Sequence, residues 1–366
     1  MKDITKTLLS LLLITALLTT LTACGSSSAP NKSSAGSSAS EKASNTVSIV
    51  GGFQGSIDAW PSYYAVSSGL QSDYGINLDM QFFDSGMPMA QTIPTHELSI
   101  LCNGSVPCLM AAMRYDAPII SIATNESSDN AVVARPGNDV FTVKSENGSY
   151  GTADQVRGKT FLVTTISSGH YAMSKYLESI GLTEDDVTIK NIEPAQSITS
   201  FESGDGDFLV LWAPFLYRAY EKGWQKVADG AQVGAATYLL YQADPDFIKQ
   251  DPDTLANFLR MTNVGVKRYQ SEGDALVPEV IDFFTNFAAM EVSENDAKLD
   301  IETHQVYTLE EQLDEFESGR LGKDLSSATE FFVAQGSFTK EEGQSLIDKG
   351  CKLDSSILKL AISKDT

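Results

Sequence analysis

Thr160-Phe161-Leu162-Val163-Thr164-Thr165-Ile166-Ser167-Ser168-Gly169-His170 reads as a strand passing directly into a helix. The opening β-branched and bulky apolar residues predict a strand over 160–163. The serines are helix-capping residues, and the helix that follows, over 169–180, stops at Gly181. Downstream the rhythm repeats: a strand over 187–191, a helix over 194–203 ended by Gly204, and a strand over 208–212. Upstream, strands are predicted over 46–50, 76–82, 98–101 and 119–123, with helices over 61–68, 87–93 and 106–114 between them. Such alternation is the pattern of a mostly parallel sheet covered on both faces.

The alternation restarts after the polar, glycine-containing segment 146–151, so two α/β units are expected. After a last strand over 235–241 the chain turns helical, over 252–270, 278–289, 309–318, 326–335 and 340–348. That tail has no sheet of its own and must cover the first unit. The expected organisation is a discontinuous lobe 1 (46–148 and 235–366) and a smaller lobe 2 (149–234), with crossings near 146–151 and 230–236 acting as a hinge. Roughly 320 residues suit two lobes better than one core. Open α/β sheets bind ligands at the carboxyl ends of their strands, which places the site between the lobes.

The amino-terminal end reads as an export signal. Lys2 and Lys6 precede an apolar run from Leu8 to Leu21, too short to span a bilayer comfortably, and Leu21-Thr22-Ala23-Cys24 closes it. Segment 1–23 is therefore expected to be a lipoprotein signal peptide, and the Ser/Gly/Ala/Lys-rich segment 24–45 a flexible tether. The four closing residues resemble a bacterial lipobox, which implies cleavage before Cys24, lipid on its sulfur and a place on the outer face of the cell membrane. The formal net charge is −22, and loss of Lys2, Asp3 and Lys6 makes it −23. A surface so acidic repels phosphate backbones, so no nucleic-acid partner is expected.

Three further cysteines, Cys102, Cys108 and Cys351, leave at least one unpaired. Cys102 and Cys108 flank a short turn and can close a small loop; three buried free thiols are the alternative. Three scattered histidines, His96, His170 and His304, give no metal-binding spacing, so neither metal nor other cofactor is expected.

Three segments carry recognition chemistry. Gly51 to Gly55 follows the first strand and leads into Trp60 and Tyr64, with Gln54 and Trp60 expected as wall residues. The 164–170 turn offers free amides, the Ser167 and Ser168 hydroxyls, Gly169, and His170 as a further donor. Leu209 to Phe215 runs an apolar strand into a helix, with Trp212 at the strand's carboxyl end and Pro214 at the helix start.

Arg157-Gly158-Lys159, Ser167-Ser168-Gly169-His170-Tyr171, Gly181-Leu182 through Asp186-Val187, Ser203-Gly204 and Trp212-Ala213-Pro214-Phe215 resemble the nitrate/sulfonate/taurine and thiamine-precursor-type solute-binding proteins of ABC importers. The resemblance is specific mainly over 156–216. It implies a type II periplasmic-binding-protein-like fold, and Ser85-Gly86 and Asn103-Gly104-Ser105 resemble the family's ligand loops. Two departures stand out. Ala213 replaces an acid often found between Trp and Pro, removing a partner for an amine, and His96-Glu97 stands where an Asp opens the third strand.

The expected protein is thus a monomeric, non-enzymatic receptor. Its ligand, a small organic sulfonate, carboxylate or heteroaromatic molecule, meets Gln54, Trp60, Tyr64, Ser85 and Ser105 on lobe 1. Closure then brings Ser167, Ser168, Gly169, His170 and Trp212 onto its other side. Its partners would be the ABC permease and ATPase subunits. A tethered sensor domain, or a pyrimidine-precursor enzyme on the same fold, are the alternatives.

Overall fold

The computed structural model describes residues 46–365. The expected signal peptide 1–23, the lipid-bearing Cys24 and the tether 24–45 lie outside the described residues. Among the described residues, eleven strands form two sheets. The first contains β1 (Val47–Phe53), β2 (Ile76–Phe82), β3 (Ile100–Gly104), β4 (Ile119–Asn125), β10 (Tyr238–Ala243) and β11 (Gln305–Val306), in the order β11-β4-β10-β3-β1-β2. The second contains β5 (Asn130–Ala134), β6 (Thr160–Val163), β7 (Thr188–Asn191), β8 (Phe208–Trp212) and β9 (Gln225–Asp229), in the order β7-β6-β8-β5-β9.

Both sheets are parallel except at the strands that follow a change of lobe and at the short edge strand β11, which runs antiparallel to β4. β1 pairs parallel with β2 and β3, and β6 with β7 and β8. β5, the first strand after the outward crossing, runs antiparallel to β8 and β9; β10, the first after the return, runs antiparallel to β3 and β4. A chain leaving one sheet at its carboxyl edge enters the facing sheet from the cleft side, so its next strand must run away from the cleft.

This geometry corrects the position of the first crossing. Asn130–Ala134 already belongs to the second sheet, so the chain changes lobe at 126–129 and not at 146–151. The glycine-containing segment only turns within the second lobe, where Lys144 and Tyr150 form a bridge. The return lies between Asp229 and Tyr238, and the two crossings are tied together. Glu126 N–H donates to Thr237 O at 3.0 Å, Thr237 N–H to Ser127 Oγ at 3.0 Å, and Asn130 Nδ2 to Thr237 Oγ1 at 3.2 Å.

The helical tail covers the first sheet. Leu255, Phe258 and Leu259 of helix Pro252–Glu272 pack with Ile49, Phe53 and Trp60 on one face. Leu321, Leu325 and Phe332 of helix Arg320–Ala334 pack with Val106, Leu109 and Ile122 on the other. Each large side chain so buried contributes about 1.5–3 kcal/mol. Cys102 belongs to the first of these cores and Cys108 to the second; both are free, buried thiols, and the sheet and the helix after it turn them apart. No helix among the described residues is long and apolar enough to cross a membrane.

Candidate functional site

The carboxyl ends of β1, β3 and β8, the start of helix Ser168–Ser179 and the outward crossing meet in a narrow cleft. The first lobe contributes Gln54 and Ser56 after β1, Gly86, and Gly104 and Pro107 at the junction of β3 and helix Ser105–Tyr115. The second contributes Ser167, Ser168 and Trp212. Glu126 and Asn130, from the crossing and the strand after it, stand between them.

The lobes touch at Gly104. A Cβ there would lie 2.7 Å from Ser168 Oγ and 3.7 Å from Glu126 Oε1, so only a glycine lets the β3 backbone come this close. The helix opening at Ser168 is built as its sequence suggests. Ser167 accepts from His170 N–H at 3.1 Å and donates to Thr164 O at 2.6 Å, which leaves Ser168 free to face the cleft. The first amides of any helix lack intrahelical acceptors, so the turn also presents N–H groups there.

Three buried polar atoms in this lining complete no hydrogen bond: Glu126 Oε1, Asn130 Oδ1 and Ser168 Oγ. Buried polar groups are nearly always paired, and leaving one unpaired costs about 1–3 kcal/mol. Their convergence is therefore the mark of a site. Burial pushes Glu126 up to about 7; Asp58 adds to the rise, while Ser168, His304 and Asn130 act against it. Beneath the cleft, burial raises Asp58 to about 6, opposed by hydrogen bonds from Cys102 and Ser56. Cys102 Sγ lies 2.9 Å from Asp58 Oδ2.

The residues expected from the sequence separate into three groups. Gln54, Ser167, Ser168 and Trp212 line the cleft. Ser85, Ser105 and Gly169 sit at its edge in other roles. Ser85 precedes helix Gly86–Ala90 and lies beside Glu193 of the second lobe, Ser105 Oγ accepts from Tyr238 N–H at 3.4 Å, and Gly169 packs against Val210.

Trp60, Tyr64 and His170 point elsewhere. Trp60 is 1% exposed in the first core and stacks on Tyr64 at 5.6 Å. Both rings carry the Arg268 guanidinium on the outer side of that lobe, because the helix they open turns back over the sheet. His170 turns from the cleft towards the tail: Nδ1 accepts from Ile166 N–H at 3.2 Å and Nε2 faces Glu184 at 3.3 Å. Its ring meets the edge of Phe331. It joins the lobes but does not face the cleft.

Sequence reasoning missed Glu126, Asn130 and Ser56. The signal for the first two was present: Asn125 to Asn130 is a polar run between two apolar strands, at a strand's carboxyl end. The arginines that could have supplied charge are occupied elsewhere. Arg114 pairs with Glu342, and Arg135 lies on the Phe201 ring and bonds the Gly206 and Asp205 carbonyls.

Comparison with known proteins agrees with this architecture. The chain is 23% identical over 348 residues, 93% of its length and 95% of the relative's, to a putative ABC transporter periplasmic binding protein of Brachyspira hyodysenteriae. It is 24% identical over 268 residues, 72% of this chain and 79% of the other, to the taurine-binding periplasmic protein of Escherichia coli. The crystal structure of the periplasmic nitrate-binding protein from Synechocystis shares the fold, with a TM-score of 0.68 at 11% identity over 87% of this chain and 89% of that one. A family description for NMT1/THI5-like proteins matches residues 56–274, more than half of the chain, and the chain belongs to that family.

Proposed function

We propose that this protein is the extracytoplasmic solute-binding component of an ABC importer, holding a small organic molecule between its two lobes and releasing it to a permease. The observation that carries this reading is the convergence of three unpartnered buried polar atoms, on Glu126, Asn130 and Ser168, in a cleft to which both lobes contribute. The paired crossings at 126–129 and 230–237 are the hinge. A ligand that touches both walls shifts the opening equilibrium towards closure by its differential affinity for the two states. Gln54, Ser167, Ser168 and Trp212 hold the ligand with Glu126 and Asn130; Ser85 meets Glu193 across the cleft and supports closure. The protein works as a monomer tethered by lipid on Cys24, and returns its ligand chemically unchanged.

Small-angle scattering with a ligand found by thermal shift tests the reading. Saturated binding should shrink the radius of gyration, and the recovered ligand should be intact. An unchanged radius at saturation would defeat two-lobe closure, and chemical turnover would defeat the receptor assignment.

A further inference from the structure

We infer that the cleft selects an organic solute presenting N–H donors, an amine or an amidine, and that Glu126 is the residue that decides this selectivity. The inference rests on the receptor reading above and deepens it.

Glu126 is the one ionisable side chain in the cleft lining, which contains no lysine, arginine or histidine. The residue is 5% exposed, and Oε1 completes no hydrogen bond, although Ser168 and Asn130 stand near enough to favour its charged form. Asn130 adds a second acceptor whose orientation is fixed. Its Nδ2 donates at 3.0 Å to the Glu126 backbone carbonyl, which can only accept, so Oδ1 is the atom turned to the cleft. Two acceptors within one lining require donors. A sulfonate, carboxylate or nitrate carries acceptors alone and sets lone pairs against Asn130 Oδ1 and, once Glu126 is ionised, against its carboxylate as well. Ser168 Oγ can donate or accept and excludes neither class.

The Trp212 ring in the facing wall adds a π surface of the kind that favours cationic nitrogen. Charged hydrogen bonds made in a buried site are worth enough to decide between ligands of one size.

The test is titration calorimetry with scattering on the whole protein and on Glu126→Gln. The probes are acetamidine, propylamine and 4-aminopyrimidine against ethanesulfonate, propionate and nitrate. At least one nitrogen probe should bind, and Glu126→Gln should weaken it roughly 10- to 100-fold. Glu126 faces Asp58, His304, Ser168 and Asn130. Affinity for an amine should therefore rise from pH 6 to pH 8 in the parent and stay flat in the variant. The inference falls if no nitrogen probe binds, if Glu126→Gln binds one undiminished, or if affinity drops as pH rises. Ethanesulfonate that binds and compacts the protein would overturn the ligand class and leave the receptor standing. A nitrogen probe that binds without compaction would uphold the class and overturn closure.

Discussion

Glu126 and Asp129 share one short crossing and are both buried, yet their surroundings are opposite. Asp129 belongs to a compensated cluster on the hinge side. Tyr217 from the second lobe lies 3.3 Å from its Oδ1, and His304 Nε2 lies 3.7 Å from its Oδ2. His304 Nδ1 in turn meets Asp300 Oδ1 at 3.1 Å. Burial opposes the charge on His304, but Asp129 and Asp300 outweigh it and push the imidazole up to about 10. His304 also acts on Glu126, but no salt bridge joins them and burial outweighs the attraction. The fold sets an ion pair against the buried acid that joins the lobes, and leaves the acid in the cleft lining without one. Both acids keep one buried oxygen without a hydrogen bond, Asp129 Oδ2 and Glu126 Oε1, so what separates them is the His304 ion pair on one side and the place of Glu126 in the cleft lining on the other.

The strongest way to break this contrast is His304→Ala. It leaves Asp129 and Asp300 buried without their cation and should cost roughly 3–5 kcal/mol in urea unfolding. Glu126→Gln, at the same depth, should leave the unliganded protein as stable or more so. A similar loss from both variants would erase the distinction.

A second test uses pH. Burial raises Glu126 from 4.5 to about 7, so its contribution to stability is fully present below about 4.5 and is lost as pH rises through 7. His304, raised from 6.5 to about 10, acts in the same direction at higher pH, losing its contribution between those values. The unliganded protein should therefore be less stable at pH 8 than at pH 5. Glu126→Gln should remove on the order of 2 kcal/mol of that difference, measured as urea midpoints across the range. An unaltered pH slope would place the sensitivity elsewhere.

The smallest expected effect sharpens the cleft side alone. In Gly104→Ala the new Cβ meets Ser168 Oγ only when the lobes are together. Closure should lose about 1 kcal/mol, roughly fivefold in Kd, while unfolding of the ligand-free protein changes little. A full affinity in this variant would show that the lobes need not approach so closely.

Much of the fold was legible because it is local. The strand over 160–163 and the capped helix after it obey periodicity and capping rules that need no distant partner. The strand-end rule likewise reached Gln54, Ser168 and Trp212, which the structure sets in the cleft. Applied with equal rigour after 119–123 it would have reached Glu126. The β5 strand was overlooked because Ala131-Val132-Val133-Ala134 is short, and no turn signal separates it from the polar run before it. Trp60 and His170 misled for another reason: chemistry suited to a pocket is equally suited to a core or an interface, and sequence carries no record of where a helix face points.

The amino-acid sequence by itself determined the α/β alternation, the two-unit plan, the acidic surface and the presence of a hydroxyl- and glycine-rich helix start, because each depends on neighbours a few residues away. Only the tertiary structure decided that 130–134 joins the second sheet, that His170 faces the tail and that Glu126 lines the cleft without a salt bridge. Pairing and burial are set by groups such as Ser168, Thr237 and His304, which lie far along the chain and meet the crossing only after folding.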